Sequence, residues 1–432
     1  MQFYSTNRQC REVSLREAVM TGLAPDGGLF MPERIPVIPG AFFNNIADMT
    51  IRDISYVVAD IMLGDDIDSA DIKRIIDETF TFDIPLQAID RDIYVLELFH
   101  GPTLAFKDVG ARFLARVISH YSDGLPNGVK VLVATSGDSG GAVAAGFRGV
   151  PGVEVYVLYP HGGLTQFQRA QFTLPDSNIY PIEVLGTFDD CQRMVKEAFL
   201  DTSLRERMTL TSANSINICR LLPQMFYFFH AYASLVHRDG AGDGVVISVP
   251  SGNLGNLTAG LLAMRMGLPV KRFVISNNSN SVTVDYLHDG LFNPRRAVRT
   301  VACAMDVGNP SNISRILDIF SGDHEAIARS VHGYSIADSE TIDTMSMTHS
   351  ASGYLLDPHG ATALAALRKD LVPGEKGIFL ETAHPSKFPR AVQTATGIRY
   401  PALPHSAHHG RQAIRISASA DALRKILLGQ KQ

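Results

Sequence analysis

Four cysteines in 432 residues are too few for a disulfide scaffold, and Cys10, Cys191, Cys219 and Cys303 stand too far apart for a CxxC metal or redox pair. A reducing compartment suits such a chain, so the cytoplasm is the expected location. Long uninterrupted apolar runs are missing. The most apolar stretch, Leu221 to Val236, contains Pro223, Gln224 and His230 and reads as a buried helix, not a membrane span. The opening MQFYSTNRQCREV lacks the apolar core of a signal peptide. Positive charge is not in excess either. A formal net charge of −5 gives no general attraction to nucleic acid or an anionic membrane, so neither is expected as a partner. Anionic ligands must then be held by local devices. There is no GxxxxGK followed by Ser or Thr, no GxGxxG and no HExxH.

What is present is the composition of a folded enzyme-sized chain, 45% hydrophobic and 19% charged, long enough for two or three packed units. Met1 to Ile35 is mixed and turn-rich, with a Pro-Asp-Gly-Gly turn at Pro25 to Gly28. Helical spacing follows at 51–63 and 68–80, where Ile51, Ile54, Val57, Val58, Ile61 and Met62 form one stripe. Residues 1 to about 90 are therefore expected to form an N-terminal, largely helical unit, with Pro85 as a seam.

From residue 91 onward a theme recurs: an apolar, β-branched run, a polar loop, then a helical pattern. The runs are Ile93–Phe99, Val129–Ala134, Val245–Val249, Val301–Met305 and Gly377–Leu380. Nearly continuous apolar strands alternating with helices imply parallel sheets covered on both faces, an α/β fold. Such sheets bind ligands at the carboxyl ends of their strands, where these loops fall.

Ser251-Gly252-Asn253-Leu254-Gly255-Asn256 leads from a strand straight into a helix. Glycine allows close backbone approach and the first helical amides point at an anion, so the string can cup a phosphate. Taken alone, a tight turn explains it equally well. Lys107 follows Leu104-Ala105-Phe106 where a strand hands over to a helix. Desolvation there would leave the amine unprotonated and nucleophilic, although lysines so flanked commonly reach solvent. Gly137-Asp138-Ser139-Gly140-Gly141 matches the string around the nucleophile of chymotrypsin-like proteases, and this supplies a serine-hydrolase alternative through Ser139. Its α/β context argues against that role. Asn214, Ser215 and Arg220 offer side chains suited to a phosphate or carboxylate, or else a helix cap with an ordinary arginine. His405, His408 and His409 fit no zinc spacing, and an exposed histidine run is expected, with no metal site.

Taken in order, these segments resemble the threonine synthase family, in its long class. The resemblance is carried by Tyr4–Arg8, by Gly22–Phe30, by His100-Gly101-Pro102-Thr103-Leu104-Ala105-Phe106-Lys107-Asp108, and by the loops at 135–140, 212–220, 251–256 and 381–388. It implies pyridoxal-phosphate fold type II (tryptophan synthase β-like), with residues 91–432 as a catalytic region of two interleaved α/β subdomains. It further implies pyridoxal 5′-phosphate carried on Lys107, its phosphate held by Gly252, Asn253, Leu254 and Asn256, and its pyridine nitrogen facing Thr382. Ser136, Asp138 and Ser139 would line the substrate side, with Asn214, Ser215 and Arg220 gripping the substrate's phosphate or carboxylate. The implied reaction turns O-phospho-L-homoserine and water into L-threonine and phosphate. A related fold type II lyase, such as a threonine or serine dehydratase or a phosphohomoserine lyase, is the nearest alternative. Two departures from the family pattern are Leu254, where Phe is frequent, and Ser139, where Thr is common.

Overall fold

The computed structural model describes residues 1–125, 127–164, 166–173, 177–240, 242, 244–400 and 411–430. His405, His408 and His409 lie outside them. In chain order the strands are β1 Gln2–Ser5, β2 Val13–Ser14, β3 Phe30–Pro32, β4 Leu86–Asp90, β5 Ile93–Glu97, β6 Val129–Ala134 and β7 Val153–Pro160. They continue with β8 Ile179–Leu185, β9 Thr209–Ser212, β10 Val245–Pro250, β11 Val270–Asn277, β12 Val331–Ser335, β13 Gly377–Glu381 and β14 Ile414–Ser417.

The N-terminal part carries a three-stranded antiparallel sheet, β2-β1-β3, beside its helices. The Ile51–Leu63 helix starts at a reciprocal cap: Thr50 Oγ1 accepts from the Asp53 amide and the Asp53 carboxylate accepts from the Thr50 amide. Ile54, Val58 and Met62, four apart, form its buried face. β4 already pairs with β5 in the large sheet, so that sheet begins at Leu86, a few residues before the expected boundary.

The large sheet has six strands in the order β12-β11-β10-β13-β5-β4, all parallel except β4. Side chains alternate across a strand, so one strand feeds two cores. Tyr94 and Leu96 of β5 join the central core, while Ile93 and Val95 face the opposite cluster with the Pro358–Asp370 helix. Ile247 and Val246 of β10, and Ile378 and Phe379 of β13, divide in the same way. Burial on both faces is why these runs are apolar throughout.

The second sheet has five parallel strands, β14-β8-β7-β6-β9. Val131 and Val155 face the central core, and Leu132 and Leu158 face a separate cluster with the Phe188–Leu200 helix. The chain thus leaves the first sheet after β5, builds most of the second, and returns at β10. β14 then crosses back to complete the second sheet.

One expectation fails here. Val301–Met305 is not a strand; Cys303–Met305 forms a short 3₁₀ turn, with Ala302 and Met305 buried. Its apolar residues pack in a loop and have no ladder partner among the described strands. No helix among the described residues is long and apolar enough to cross a membrane.

Candidate active site

Three of the expected segments meet at neighbouring strand ends. The large sheet runs β10-β13-β5, so the loop after β10, Thr382 after β13 and the loop after β5 stand side by side. Two strand spacings separate the outer pair, about 10 Å, room for a phosphorylated ring between them.

The loop after β5 is zipped onto the end of β13. Ala105 bridges Ala383, the Phe106 amide donates to the Thr382 carbonyl at 2.9 Å, and the His384 amide donates to the Leu104 carbonyl at 3.0 Å. Asp108 closes the turn by accepting from the Thr103 amide at 2.8 Å and the Thr103 hydroxyl at 2.7 Å. Lys107 therefore opens the Lys107–Ser122 helix directly beside Thr382, its side chain only partly exposed. Burial lowers the proton affinity of its amine, opposed by Asp138 and Cys303 and assisted by Lys387 and Arg220. A lysine so placed is a nucleophile in waiting.

The Ser251–Asn256 loop is built to present amides. Leu254 sits in the left-handed region at φ 63°, and the Gly255–Arg265 helix follows at once. This geometry turns successive N–H groups to one side, and those of Gly252, Asn253, Leu254 and Gly255 find no acceptor among the described residues. A Cβ on Gly252 would lie 2.8 Å from the Met305 Cα and 3.1 Å from Val307 Cγ2, so only glycine fits. The Asn256 side chain braces the turn: its amide donates to the Pro250 carbonyl at 2.9 Å and its oxygen accepts from Ser251 at 2.6 Å. Asn253 joins the loop to its surroundings, donating to Ser215 Oγ at 2.7 Å and accepting from the Ser311 amide at 2.6 Å.

The remaining expected residues divide. Ser215 lies against this cup, where its hydroxyl also meets Asn312 at 3.3 Å. Asn214 finishes the β6 ladder, its side-chain amide donating to the Ala134 carbonyl at 2.8 Å and accepting from the Ala134 amide at 3.1 Å. Arg220 is buried, donates through one nitrogen to the Ala213 carbonyl at 2.6 Å, and leaves Nε without a partner. No carboxylate among the described residues pairs with it, and burial pulls its affinity for a proton down to about 10. Gly110 makes room for it, because a Cβ there would sit 3.1 Å from Arg220 Nε. Gly110 lies one turn along the helix from Lys107, on the same face, so the guanidinium runs beside the lysine's turn. Ser136 is exposed and Ser139 half-buried, and neither hydroxyl meets a histidine among the described residues, so a serine-nucleophile triad has no base. Asp138 pairs with Lys387 at 3.1 Å.

Several residues here escaped the sequence reading. Asn312 donates to the Asn253 carbonyl at 2.8 Å, and the fully buried Arg315 holds the Ser215, Ile216 and Phe30 carbonyls together. Their only sequence signal is the polar Val307–Asn312 loop. Lys387 carried no signal of its own beyond its place in the strand-end segment after Thr382.

A half-buried lysine, a cup of free amides and, between them, a Thr382 hydroxyl with no partner among the described residues define a pyridoxal-phosphate-dependent enzyme of the fold type II architecture. The residues present have the chemistry such a cofactor needs: unpaired amides for a phosphate, a hydroxyl for a ring nitrogen and an amine for an aldehyde. Comparison with known proteins agrees. The model described as "Pyridoxal-phosphate dependent enzyme" matches residues 79–380, "Threonine synthase N terminus" matches 2–80 and "Threonine synthase, C-terminal" matches 360–413. A threonine synthase of Haemophilus influenzae is 41% identical over 422 residues, covering 98% of this chain and 97% of its own. The crystal structure of threonine synthase from Escherichia coli superposes with a TM-score of 0.91 at 37% identity, covering 99% of this chain and 100% of the other. A pyridoxal-phosphate-bound threonine synthase from Brucella melitensis gives 0.89 at 31% identity, covering 99% and 98%. The chain belongs to the threonine synthase family.

Proposed function

We propose that the protein converts O-phospho-L-homoserine and water into L-threonine and phosphate in the cytoplasm. One observation carries the reading. Two distinct anion holders attend one half-buried amine: the uncharged cup at Gly252–Gly255, and Arg220, a buried guanidinium with no ion-paired carboxylate among the described residues. A substrate with its own phosphate, acting on a phosphorylated cofactor, needs both. Four free thiols, none in a disulfide, support the reducing compartment.

When bound, pyridoxal phosphate supplies the electron sink that lets a Cα proton leave. The chain's residues do the rest. Lys107 Nζ would hold the cofactor and, as a free neutral amine, would be the base that takes the Cα proton and returns protons as the chemistry moves outward. Arg220 grips an anionic group of the substrate, phosphate or carboxylate, through the nitrogens that lack partners. Ser136, Asp138 and Ser139 line the substrate side at the start of the Asp138–Phe147 helix. Its loop is braced from within: Thr135 Oγ1 accepts from the Gly137 amide at 2.9 Å and the Gly140 amide at 2.8 Å. On this reading the loop excludes water until phosphate has left.

Product analysis tests the reading. Incubation with O-phospho-L-homoserine should release phosphate and threonine in equal amounts. A 2-oxo acid with ammonia in place of threonine would make the enzyme a lyase of the same fold.

A further inference from the structure

The side chain of Lys387 is 3% exposed, a cation buried in the middle of the site. Its ammonium is held at 3.1 Å by Asp138 Oδ1 and at 2.9 Å by the Thr103 carbonyl. Asp138 begins the helix on the substrate side, and Thr103 belongs to the loop that delivers Lys107. Lys387 itself closes the short turn after Thr382, Pro385–Lys387. One side chain therefore ties together three segments that surround the reactive amine.

We propose that Lys387 is a positioning residue of this site, fixing Asp138 by an ion pair near the Lys107 amine and adding a second basic group beside it, so that the amine stays free to attack. This rests on Lys107 being the anchor. An ammonium cannot attack a carbonyl, so capture of the cofactor requires the neutral amine. In capture, Lys107 Nζ forms a carbon–nitrogen double bond with the aldehyde carbon, and the carbonyl oxygen leaves as water with the two amine protons. The charged and titratable groups facing Lys107 are Asp138 and Lys387, Arg220 from the Ile218–Leu221 helix, and Cys303 from the turn beneath the cup. Asp108 is its neighbour on its own helix, and His359, from the Pro358–Asp370 helix, acts on Asp138. Asp138 attracts a proton to Lys107, and Lys387 and Arg220 repel it. Burial alone would push the Asp138 carboxyl upward, but Lys387 and then Lys107 overcome it and hold it at about 2. The carboxylate thus stays charged, and Lys387 decides how much of that charge Lys107 feels.

The two partners must therefore have opposite effects. The full-length apoenzyme is mixed with pyridoxal phosphate between pH 6 and pH 10, and the near-visible absorbance of the lysine-bound cofactor is followed. The midpoint of rate against pH reports the amine, because the cofactor's own titration is common to all variants. Lys387→Met removes a repelling cation and leaves Asp138 uncompensated, so the midpoint should rise by about one pH unit. Asp138→Asn leaves Lys387 unopposed and should lower it, while Lys387→Arg should stay near the wild type. Midpoints that coincide with the wild type, or that move in one direction for both Lys387→Met and Asp138→Asn, overturn the proposal. Should Lys387→Met fail to fold, a midpoint for Asp138→Asn at or above the wild type overturns it alone. Band formation in Lys107→Ala would instead remove the anchor reading, and the readout needs no substrate, so the proposed reaction is tested separately.

Discussion

A guanidinium taken out of water without a directly ion-paired carboxylate is costly unless something anionic visits it. Arg220 is such a group, and Arg220→Met is expected to raise KM for the phosphorylated substrate about 10–100-fold, the worth of one lost charge-assisted contact. The near-visible cofactor absorbance should persist, because the cup does not involve Arg220. Steady-state kinetics beside an absorption spectrum check both halves. Lys107 and Arg220 stood out as candidates because each sits in a local string whose chemistry is unusual, although each string alone also allowed an ordinary structural role. Lys387 could not, since its contact with Thr103 joins positions 284 apart in sequence. Asn214 shows the opposite gap: its residue type suits an anion, yet its amide is engaged with the backbone of Ala134 at the end of β6.

Among the elements, the turn at Ser251–Asn256 leaves the least freedom. Gly252→Ala would drive a methyl to 2.8 Å from the Met305 backbone. The expected cost is about 1–3 kcal/mol of stability, with weakened retention of cofactor. Urea unfolding and dialysis against buffer free of pyridoxal phosphate measure the two. Of the interior strands, β5, β6, β10 and β13 were legible because both faces are covered, which writes a nearly continuous apolar run into each, whereas β7, β8 and β11, also interior, were not read. β9, with the sequence Thr-Leu-Thr-Ser, and β12, Val-His-Gly-Tyr-Ser, lie at sheet edges and lack that signature. Val301–Met305 misled for the converse reason. An apolar pentapeptide can be buried under a loop as well as in a ladder, and here Met305 packs beneath Gly252. Composition alone does not separate the two.

For the whole molecule, stability against acid hangs partly on how the large sheet is tied to its helices. Arg272 of β11 reaches Asp370, at the end of the Pro358–Asp370 helix, at 2.6 Å, and Glu375, before β13, at 2.6 Å. Hydrogen bonding to Arg272 is the main reason that the Glu375 carboxyl is held at about 2, below its ordinary 4.5. A carboxyl depressed in the folded state contributes stability that is present above the unfolded value and fades as pH falls toward the folded one. Arg272→Met should therefore melt well below the wild type at pH 7, with the gap closing between about pH 4.5 and pH 2. Thermal melts across that window check the sign. The alternation of strand and helix announced an α/β molecule. The interleaving came only through family likeness, since no local pattern records that β10 returns to the sheet left at β5.

The last strand has a consequence for how the chain is made. Arg415 of β14 meets Glu183 of β8 across 232 residues, and among the described strands β14 alone covers that edge. During synthesis β8 therefore leaves the ribosome long before its neighbour exists, and its flank stays open to stray pairing while the rest of the molecule is translated. A chain cut before Ile414 would then show itself first as clumping of newborn chains, ahead of any defect in turnover.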